Sequence, residues 1–308
     1  MLRKMRERLR QFALAAGRKL ARVRLRGIPH LMYWSRRIIA DPGVQVLPSV
    51  SGVQLALDTN DYASCMMFYG RFSPELIAFM KSVIHRGDSV IDVGAQLGYV
   101  TAHLAELVGT MGCVHSFEPD PNALVQLRST VSANGHSWVK IFPIALGDVE
   151  GDIDFNVSPT LGWSTVVKGT HHKGLSTIRV PATTIDKLSA EGQIRRPVSF
   201  VKIDVEGFEC QVLDGMREMV KGDRPVVLAE VNPLLLHPLG LSAADLLERL
   251  VRYNYRLFRV DEADGLLRGG TVRLTPTAHT AALDFCDVVA VPAERQVGQL
   301  AASPAERR

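Results

Sequence analysis

The chain has 308 residues, of which 46% are hydrophobic and 22% are charged, and its formal net charge is +4. This balance supplies enough apolar surface for a buried core and excludes a chain that is disordered throughout. No apolar run reaches the ~20 residues that cross a bilayer, and arginines interrupt the first apolar stretch, so we expect neither a membrane span nor export. The four cysteines form no CxxC pair, which predicts neither a zinc site nor a disulfide framework.

From residue 88 onward, short β-branched runs alternate with longer helical stretches, which is typical of a parallel sheet covered by helices. We predict an α/β fold with a doubly wound, mostly parallel, seven-stranded sheet of the Rossmann-like type. The predicted strands are residues 89–93, 112–118, 139–145, 199–204, 225–231, 255–260 and 284–291. The predicted helices are residues 99–107, 121–133, 209–220 and 243–252, and Asp120 is placed to cap the second of them.

Turn signals and alternating stretches between residues 146 and 185 interrupt this rhythm and predict a β-rich insertion. The expected organisation in chain order is a basic extension that can be helical (1–40), a lead-in (41–87), a ligand-binding domain that contains the insertion (88–295), and a tail (296–308). In a doubly wound sheet the ligand lies beyond the carboxyl ends of the strands, so we expect the site there.

Charge is concentrated at the start of the chain. Residues 1–37 contain twelve Lys or Arg against one acid, Glu7, whereas residues 38–308 contain 24 basic and 31 acidic residues. Apolar residues alternate with arginines over residues 2–26, as in a basic amphipathic helix. Peripheral binding to an anionic membrane and a solvated leader both remain open. We expect a cytoplasmic protein, with any membrane contact at the inner face, and the acidic body argues against nucleic acid as a partner.

The turn after the first predicted strand reads D-x-G-x-x-x-G, from Asp92 to Gly98. Gly94 and Gly98 lack a Cβ, so we expect the backbone to turn tightly and to approach a flat ligand. Asp92 ends the strand, where it can accept a hydrogen bond or order the loop. The spacing differs from the G-x-G-x-x-G motif that places a pyrophosphate at a helix N-terminus, which disfavours NAD.

Glu118 ends the second predicted strand, where a carboxylate can accept both hydroxyls of a ribose. The loop and the carboxylate together indicate an adenosine-type ligand without a pyrophosphate, and S-adenosylmethionine fits that description. Each feature alone has a simpler explanation. Glycine-rich turns are common, and Glu118 before Pro119 can be a solvated cap.

Five segments carry a further signal: Phe68-Tyr69-Gly70, Asp92 to Thr101 (DVGAQLGYVT), Phe117-Glu118-Pro119, Ala145-Leu146-Gly147-Asp148, and Lys202 to Glu209 (KIDVEGFE). Their order and spacing resemble the FkbM-type methyltransferase family over residues 65–235. The resemblance implies a class I methyltransferase fold, S-adenosylmethionine as the donor, and O-methylation of sugar or polyketide hydroxyls. Gln96 stands where the family usually has Asn, so we expect an adjusted loop that keeps its amide. We expect cofactor contacts from Asp92, Gly94, Ala95, Gln96, Gly98, Thr101, Glu118, Asp148 and Glu206.

Methyl transfer to a hydroxyl requires alignment of the acceptor and removal of a proton. Asp204 and Glu206 follow the fourth predicted strand, and Glu230 and Asn232 end the fifth. The first two can order loops or supply a general base. With the second two they can also bind a divalent cation, as in catechol-type methyltransferases. We predict Asp204 as the base, Glu206 as a residue that orders the cofactor loop, and no metal site. Glu206 as the cap of the next helix is an equal alternative.

His237 is a second candidate base, because imidazole titrates near neutral pH and this residue follows the fifth strand. His171 and His172 lie in the insertion and are less well placed. Trp163, also in the insertion, can stack on a sugar ring, although packing is its default explanation. The predicted function is O-methylation of a hydroxyl of a sugar, glycolipid or related natural product by S-adenosylmethionine. RNA or protein methylation and a non-catalytic binding protein remain alternatives.

Overall fold

The computed structural model describes residues 27–36, 43–159, 164–167, 174–262, 272–281 and 283–295, together with residues 8, 9, 11–13, 15, 16 and 19. The strands are β1 (Gln45–Pro48), β2 (Gln54–Leu57), β3 (Ser89–Val93), β4 (Cys113–Phe117), β5 (Val139–Phe142), β6 (Ala145–Leu146), β7 (Gly151–Val157), β8 (Ser176–Thr183), β9 (Val198–Ile203), β10 (Val226–Val231), β11 (Tyr255–Glu262), β12 (Val272–Thr277) and β13 (Cys286–Pro292). The helices are α1 (Ile28–Trp34), α2 (Tyr62–Phe68), α3 (Pro74–Val83), α4 (Tyr99–Val108), α5 (Pro121–Ala133), α6 (Ile185–Ala190), α7 (Glu209–Asp214), α8 (Arg217–Gly222), α9 (Pro233–Leu236) and α10 (Ala243–Val251), with a 3-10 turn at His237–Leu239.

The central sheet has the order β12-β11-β13-β10-β9-β3-β4-β5. Five consecutive strands of this sheet, from β10 to β5, are parallel to one another. Strand β13 lies between β10 and β11 and is antiparallel to both. This is the predicted doubly wound, mostly parallel architecture, but the sheet has eight strands and not seven. The additional strand, β12, lies at an edge, is only partly buried and contains Pro276, so its sequence lacks the apolar run of a central strand.

Successive side chains along each strand point to opposite faces of the central sheet, and each face packs into a separate hydrophobic core. Val90, Val114 and Phe200 pack on one face together with α3 and α4. Ile91 and Val201 point to the other face, where they pack with α7, α8 and α10. Strands buried on both faces need apolar residues at nearly every position, which is why β3 and β9 read as almost continuous apolar runs.

The direction of winding reverses between β3 and β9. Strands β4 and β5 follow on one side of β3, while β9 and β10 lie on the other. The loops that leave the carboxyl ends of β3 and β9 therefore diverge and leave a crevice between them. Asp92 pairs in register with Lys202, and Ala229 pairs with Ile203, so the strand ends lie side by side at this edge.

The β-rich insertion is a separate sheet of three strands in the order β6-β8-β7. The predicted strand 139–145 is in fact two strands. Pro143 has no backbone N–H to donate to a ladder, and beyond it the chain leaves the central sheet and enters the insertion sheet.

The predicted helix 209–220 is also divided, into α7 and α8, at Gly215. A Cβ at Gly215 would lie 1.9 Å from the carbonyl oxygen of Gly147, so the break is a point of close backbone packing against the insertion.

Residues that precede the central sheet are part of the same core. Strands β1 and β2 form an antiparallel hairpin, and the hairpin packs against α5. The hydroxyl oxygen of Thr130 accepts the N–H of Ala56, and the Asn134 side chain both accepts from and donates to the backbone of Gln54. No helix within the described ranges is long and apolar enough to span a membrane.

Candidate active site

A cavity of about 660 Å³ opens at the carboxyl ends of β3, β4, β9 and β10. Its volume lies within the roughly 300–1,000 Å³ of typical small-molecule sites. Three parts of the chain form its walls: the loops of the central sheet, the residues before β3, and the insertion. The side chains and backbone discussed below include the lining residues Val44, Asp61, Ala63, Gly94, Ala95, Gln96, Phe117, Glu118, Asp120, Phe155, Ser164, Val166, Lys202, Asp204, Glu206 and Glu230.

The loop after β3 forms one wall of this cavity through Gly94, Ala95 and Gln96. Gly94 and Gln96 have φ values of +77° and +51°, so the chain turns sharply between β3 and α4. The backbone N–H of Gln96 donates to Glu118 Oε2 at 2.7 Å, which joins the loop to the end of β4. The amide residue at 96 thus occupies a left-handed position, a conformation that Asn and Gly adopt more easily than most residues.

The two loop glycines serve packing between protein segments. A Cβ at Gly94 would lie 1.8 Å from the carbonyl oxygen of Asp204, and a Cβ at Gly98 would lie 2.8 Å from Leu127 Cδ1. Gly98 has a φ of +91°, begins α4 and does not line the cavity. We expected both glycines to leave room for a ligand. The structure gives a different reason for the two glycines. The space that a Cβ would occupy is filled at Gly94 by the loop after β9 and at Gly98 by α5.

Asp92 and Thr101 lie behind the loop and do not line the cavity. Both side chains are fully buried, and the Thr101 hydroxyl donates to Asp92 Oδ2 at 2.6 Å. Burial raises the pKa of Asp92, and the neighbouring Lys202 ammonium opposes that shift. Asp92 thus accepts a hydrogen bond from within the protein, and its position behind the loop is also compatible with the ordering role.

Glu118 is buried at the cavity wall, and each of its carboxylate oxygens accepts one backbone N–H. Oε2 accepts from Gln96 and Oε1 accepts from Asp120 at 2.8 Å. Each oxygen keeps further acceptor capacity. Burial raises the pKa of Glu118 to about 7. Asp148, another predicted cofactor contact, is exposed and lies outside the cavity lining.

Among the described residues, Asp204, Glu206 and Glu230 form a carboxylate cluster in which one oxygen from each lies within 4.8 Å of the others. Burial, reinforced by the Asp204 charge, raises the pKa of Glu206 to about 8 and also raises the pKa of Glu230. Glu206 has a φ of +54°, a strained conformation for a residue with a side chain. The spacing and the oxygen donors suit a divalent cation as well as a shared proton.

Lys202 connects this cluster to the loop after β3, a role that the sequence analysis does not predict. Its Nζ donates to the carbonyl oxygen of Gly94 at 2.9 Å and lies 3.1 Å from Asp204 Oδ2 and 3.7 Å from Asp92 Oδ1. Burial is the largest single effect and disfavours the ammonium, but the combined attraction of Asp204, Asp92 and Glu230 outweighs it and raises the pKa of Lys202. The sequence feature that could have indicated this role is Lys202 itself, the one charged residue of the mostly apolar strand β9.

Glu209 orders the turn after β9. This fully buried residue accepts the N–H groups of Val205 and Gly207 through Oε1, at 3.0 and 3.1 Å. Helix α7 begins at Glu209, and Phe208 at its N-cap position makes no side-chain cap. The alternative in which Glu206 caps a helix opening at Gly207 is therefore wrong. The side chain of Glu206 does not cap this helix, and Glu206 lines the cavity.

The insertion forms the wall opposite the sheet. The Ser164 hydroxyl donates to Asp120 Oδ2 at 2.6 Å, and the Thr165 hydroxyl donates to the carbonyl oxygen of Glu206 at 2.6 Å. Asp120 also accepts the N–H of Asn122 and caps α5, as predicted. These bonds attach the insertion both to the segment after β4 and to the segment that carries the carboxylate cluster.

The alternative base His237 is less well placed than Asp204. His237 is exposed in the 3-10 turn and does not line the cavity, and Asn232 also lies outside the lining. His171, His172 and Trp163 lie outside the described residues.

The buried acids predict a loss of stability as the pH rises from mildly acidic values to about 8. Burial raises the pKa of Glu206 to about 8 and those of Glu118, Glu209 and Asp287 to about 7. A carboxyl with a raised folded pKa stabilises the fold below its unfolded pKa, and that contribution disappears as the pH rises through the folded value. We expect the melting temperature of the unliganded protein to fall as the pH rises from about 4.5 to about 8, with a shallower fall in Glu206→Gln. Equal slopes for parent and variant would contradict this.

Comparison with known proteins agrees with the geometry. The sequence matches the methyltransferase FkbM domain over residues 92–257, which is more than half of the chain. It is 30% identical over 190 residues to the hexuronic acid methyltransferase AglP of Haloferax volcanii, covering 60% of this chain and 74% of that protein. It is 25% identical over 169 residues to a protein-L-isoaspartate O-methyltransferase of Ignicoccus hospitalis, covering 54% of this chain and 70% of that protein.

Among solved structures, the methyltransferase FkbM from Methylobacillus flagellatus aligns with 17% identity and a TM-score of 0.40. That alignment covers 74% of this chain, which spans 53% of the other protein. The match of the FkbM domain over residues 92–257 is the decisive finding, because it includes the loop after β3, Glu118 and the carboxylate cluster. The chain therefore belongs to the FkbM family and is an S-adenosylmethionine-dependent methyltransferase.

Proposed function

We propose that this enzyme transfers the methyl group of S-adenosylmethionine to a hydroxyl oxygen of a saccharide or a glycolipid. The observation that carries the proposal is the position of the carboxylate cluster of Asp204, Glu206 and Glu230. It shares one cavity with the loop after β3 and with Glu118. A hydroxyl acceptor must lose a proton on methylation, and Asp204 in the cluster is a candidate proton acceptor at the same edge of the sheet as the loop after β3.

The residues of the cavity fit S-adenosylmethionine. Glu118 offers a buried carboxylate with spare acceptor capacity for ribose hydroxyls, and Phe117 and Val93 supply apolar surface beside it. Gly94, Ala95 and Gln96 are proposed as direct contacts. Asp92, Thr101 and Gly98 are proposed to support the loop from behind, since none of them lines the cavity. The bound cofactor supplies a methyl group on a sulfonium, which makes that carbon electrophilic.

Asp204 is proposed to accept the proton of the acceptor hydroxyl at a carboxylate oxygen. Its side chain is 37% exposed, the most accessible member of its ion pair with the buried Lys202, and it lines the cavity. Lys202 holds the carboxylate in place while also binding the carbonyl oxygen of Gly94, so the base and the cofactor loop keep a constant separation. Burial raises the pKa of Glu206 to about 8, so this carboxyl is already mostly protonated near neutral pH and Asp204 is the proposed proton acceptor.

A saccharide acceptor is supported by the similarity to the hexuronic acid methyltransferase of Haloferax volcanii. The insertion side of the lining contributes the hydroxyl residues Ser158 and Ser164, and hydroxyl groups suit hydrogen bonding to a polyol acceptor. The similarity to a protein carboxyl methyltransferase makes a peptide the main competing acceptor, and the experiment below includes one.

The test is transfer of an isotopically labelled methyl group from S-adenosylmethionine to matched acceptors. Uronic acids, neutral hexosides, glycolipids, an isoaspartyl peptide and transfer RNA are incubated with the enzyme, and the products are identified by mass spectrometry. We expect label in a saccharide, as an ether that survives mild alkali. Label confined to peptide or RNA, or a methyl ester released as methanol by alkali, would refute hydroxyl methylation of saccharides.

A further inference from the structure

We infer that the outer face of α1, together with its neighbours at the cavity rim, docks on the surface of an anionic lipid bilayer. We call this the docking face and define it by Leu31, Trp34, Val44 and Tyr62. The inference concerns where the enzyme works. It holds for any acceptor and does not depend on the saccharide proposal.

The docking face exposes large apolar side chains. Helix α1 buries Ile28 and Met32 against the core, whereas Leu31 is 58% exposed and Trp34 is 72% exposed on its other side. Trp combines a broad apolar ring with one N–H donor, which suits the boundary between lipid headgroups and acyl chains. A short helix that turns Trp and Leu outward has the pattern of a membrane-surface anchor.

The docking face continues to the opening of the cavity. Helix α1 packs on α2, and the rings of Tyr33 and Tyr62 meet edge to face with centroids 5.5 Å apart. Tyr62 is 49% exposed, and the residues on either side of it, Asp61 and Ala63, line the cavity. Val44 is exposed and also lines the cavity. A bilayer on this face would therefore lie next to the cavity opening.

The charge of the segment that contains α1 favours an anionic bilayer over other partners of the docking face. Residues 1–37, which include α1, contain twelve Lys or Arg and one acid, whereas the remainder of the chain has an excess of acids. A polyanion such as RNA would match the basic residues but leave Trp34 and Leu31 in water. A neutral apolar protein partner would match those side chains but not the charge. An anionic bilayer matches both, because lipid headgroups attract the basic residues and the interface accepts the apolar ones.

The experiment is co-sedimentation of the full-length chain with phosphatidylcholine vesicles, with and without a phosphatidylglycerol fraction. We expect binding only to the anionic vesicles and weaker binding as salt rises, because ions screen the basic segment. Leu31→Ser/Trp34→Ser should lower the partition coefficient about tenfold at constant salt. Met111→Ser is the matched control. Met111 is 75% exposed but lies before β4, at the sheet edge opposite the cavity, so its removal should leave binding unchanged.

A second measurement uses a conservative variant that preserves packing. Fluorescence of the parent protein should be quenched by bromine-labelled anionic vesicles, and Trp34→Phe should lose that quenching while keeping the cofactor affinity of the parent. Equal partition of parent and Leu31→Ser/Trp34→Ser overturns the inference. So does equal binding to vesicles with and without phosphatidylglycerol. Calorimetry measures S-adenosylmethionine binding by the same variants. A loss of vesicle binding with unchanged cofactor affinity is thereby distinguished from damage to the methyltransferase site.

Discussion

Asp204→Asn is expected to lower the turnover rate by ~10²–10⁴-fold at saturating cofactor and acceptor, the usual span for loss of a general base. The amide keeps the shape of the side chain but cannot take the proton of the acceptor. It also weakens the contact with Lys202, whose Nζ lies 3.1 Å from the carboxylate in the parent. Lys202 keeps its bond to Gly94, so we expect little change in S-adenosylmethionine affinity. Steady-state kinetics and calorimetry on the same preparations separate the two effects.

Two variants make this result specific. Asp152→Asn changes an exposed acid in β7, outside the cavity lining, and should turn over like the parent. His237→Gln removes the alternative base, which the structure places outside the cavity, and should also have little effect. Near-parental turnover in Asp204→Asn combined with a large loss in His237→Gln would reverse the proposed assignment.

The carboxylate cluster gives a second explanation of an Asp204 effect, which the same assay distinguishes. If the three carboxylates hold a divalent cation, activity should be lost on chelation and restored by Mg²⁺ or Mn²⁺, and Glu230→Gln should resemble Asp204→Asn. If Asp204 acts on the proton directly, chelation should leave turnover unchanged. We expect the second outcome, because the Lys202 ammonium already neutralises part of the cluster charge.

Glu118→Ala is expected to weaken S-adenosylmethionine binding by about 1.5–3 kcal/mol, or roughly 10- to 150-fold. The variant removes the charged acceptor proposed for the ribose hydroxyls. It also leaves the N–H groups of Gln96 and Asp120 without their partner, so the loop after β3 loses a point of attachment. Calorimetric titration measures the affinity. The comparison is Asp148→Ala, which changes an exposed acid outside the cavity and should bind the cofactor normally.

Gly94→Val should reduce affinity by a different route. Its Cβ would collide with the carbonyl oxygen of Asp204, and its φ of +77° is unfavourable for a β-branched residue. We therefore expect a lower melting temperature together with the lost affinity, whereas Glu118→Ala should lose affinity with a smaller thermal effect. Parental affinity in both variants would remove the loop and Glu118 from the proposed cofactor site.

Features with a local physical cause could be predicted from the sequence. Strand β3 was placed correctly because a strand buried on both faces requires consecutive apolar residues, and α5 was placed correctly because Asp120 and Pro121 are a cap and a first-turn residue. The loop from Asp92 to Gly98 and Glu118 were assigned to one site because parallel strands end at the same edge of a sheet.

The remaining features depend on contacts between residues far apart in the chain. The amino acid at position 94 must be glycine because of the carbonyl oxygen of Asp204, which lies 110 residues later, and the break at Gly215 depends on Gly147. Lys202 and Glu209 acquire their roles from backbone groups brought to them by the fold. Propensity and periodicity are properties of a short window of sequence. The sequence by itself therefore determined most strands of the central sheet, the cap of α5 and the edge at which the site lies, whereas only tertiary packing decided which side chains face the cavity and which support it.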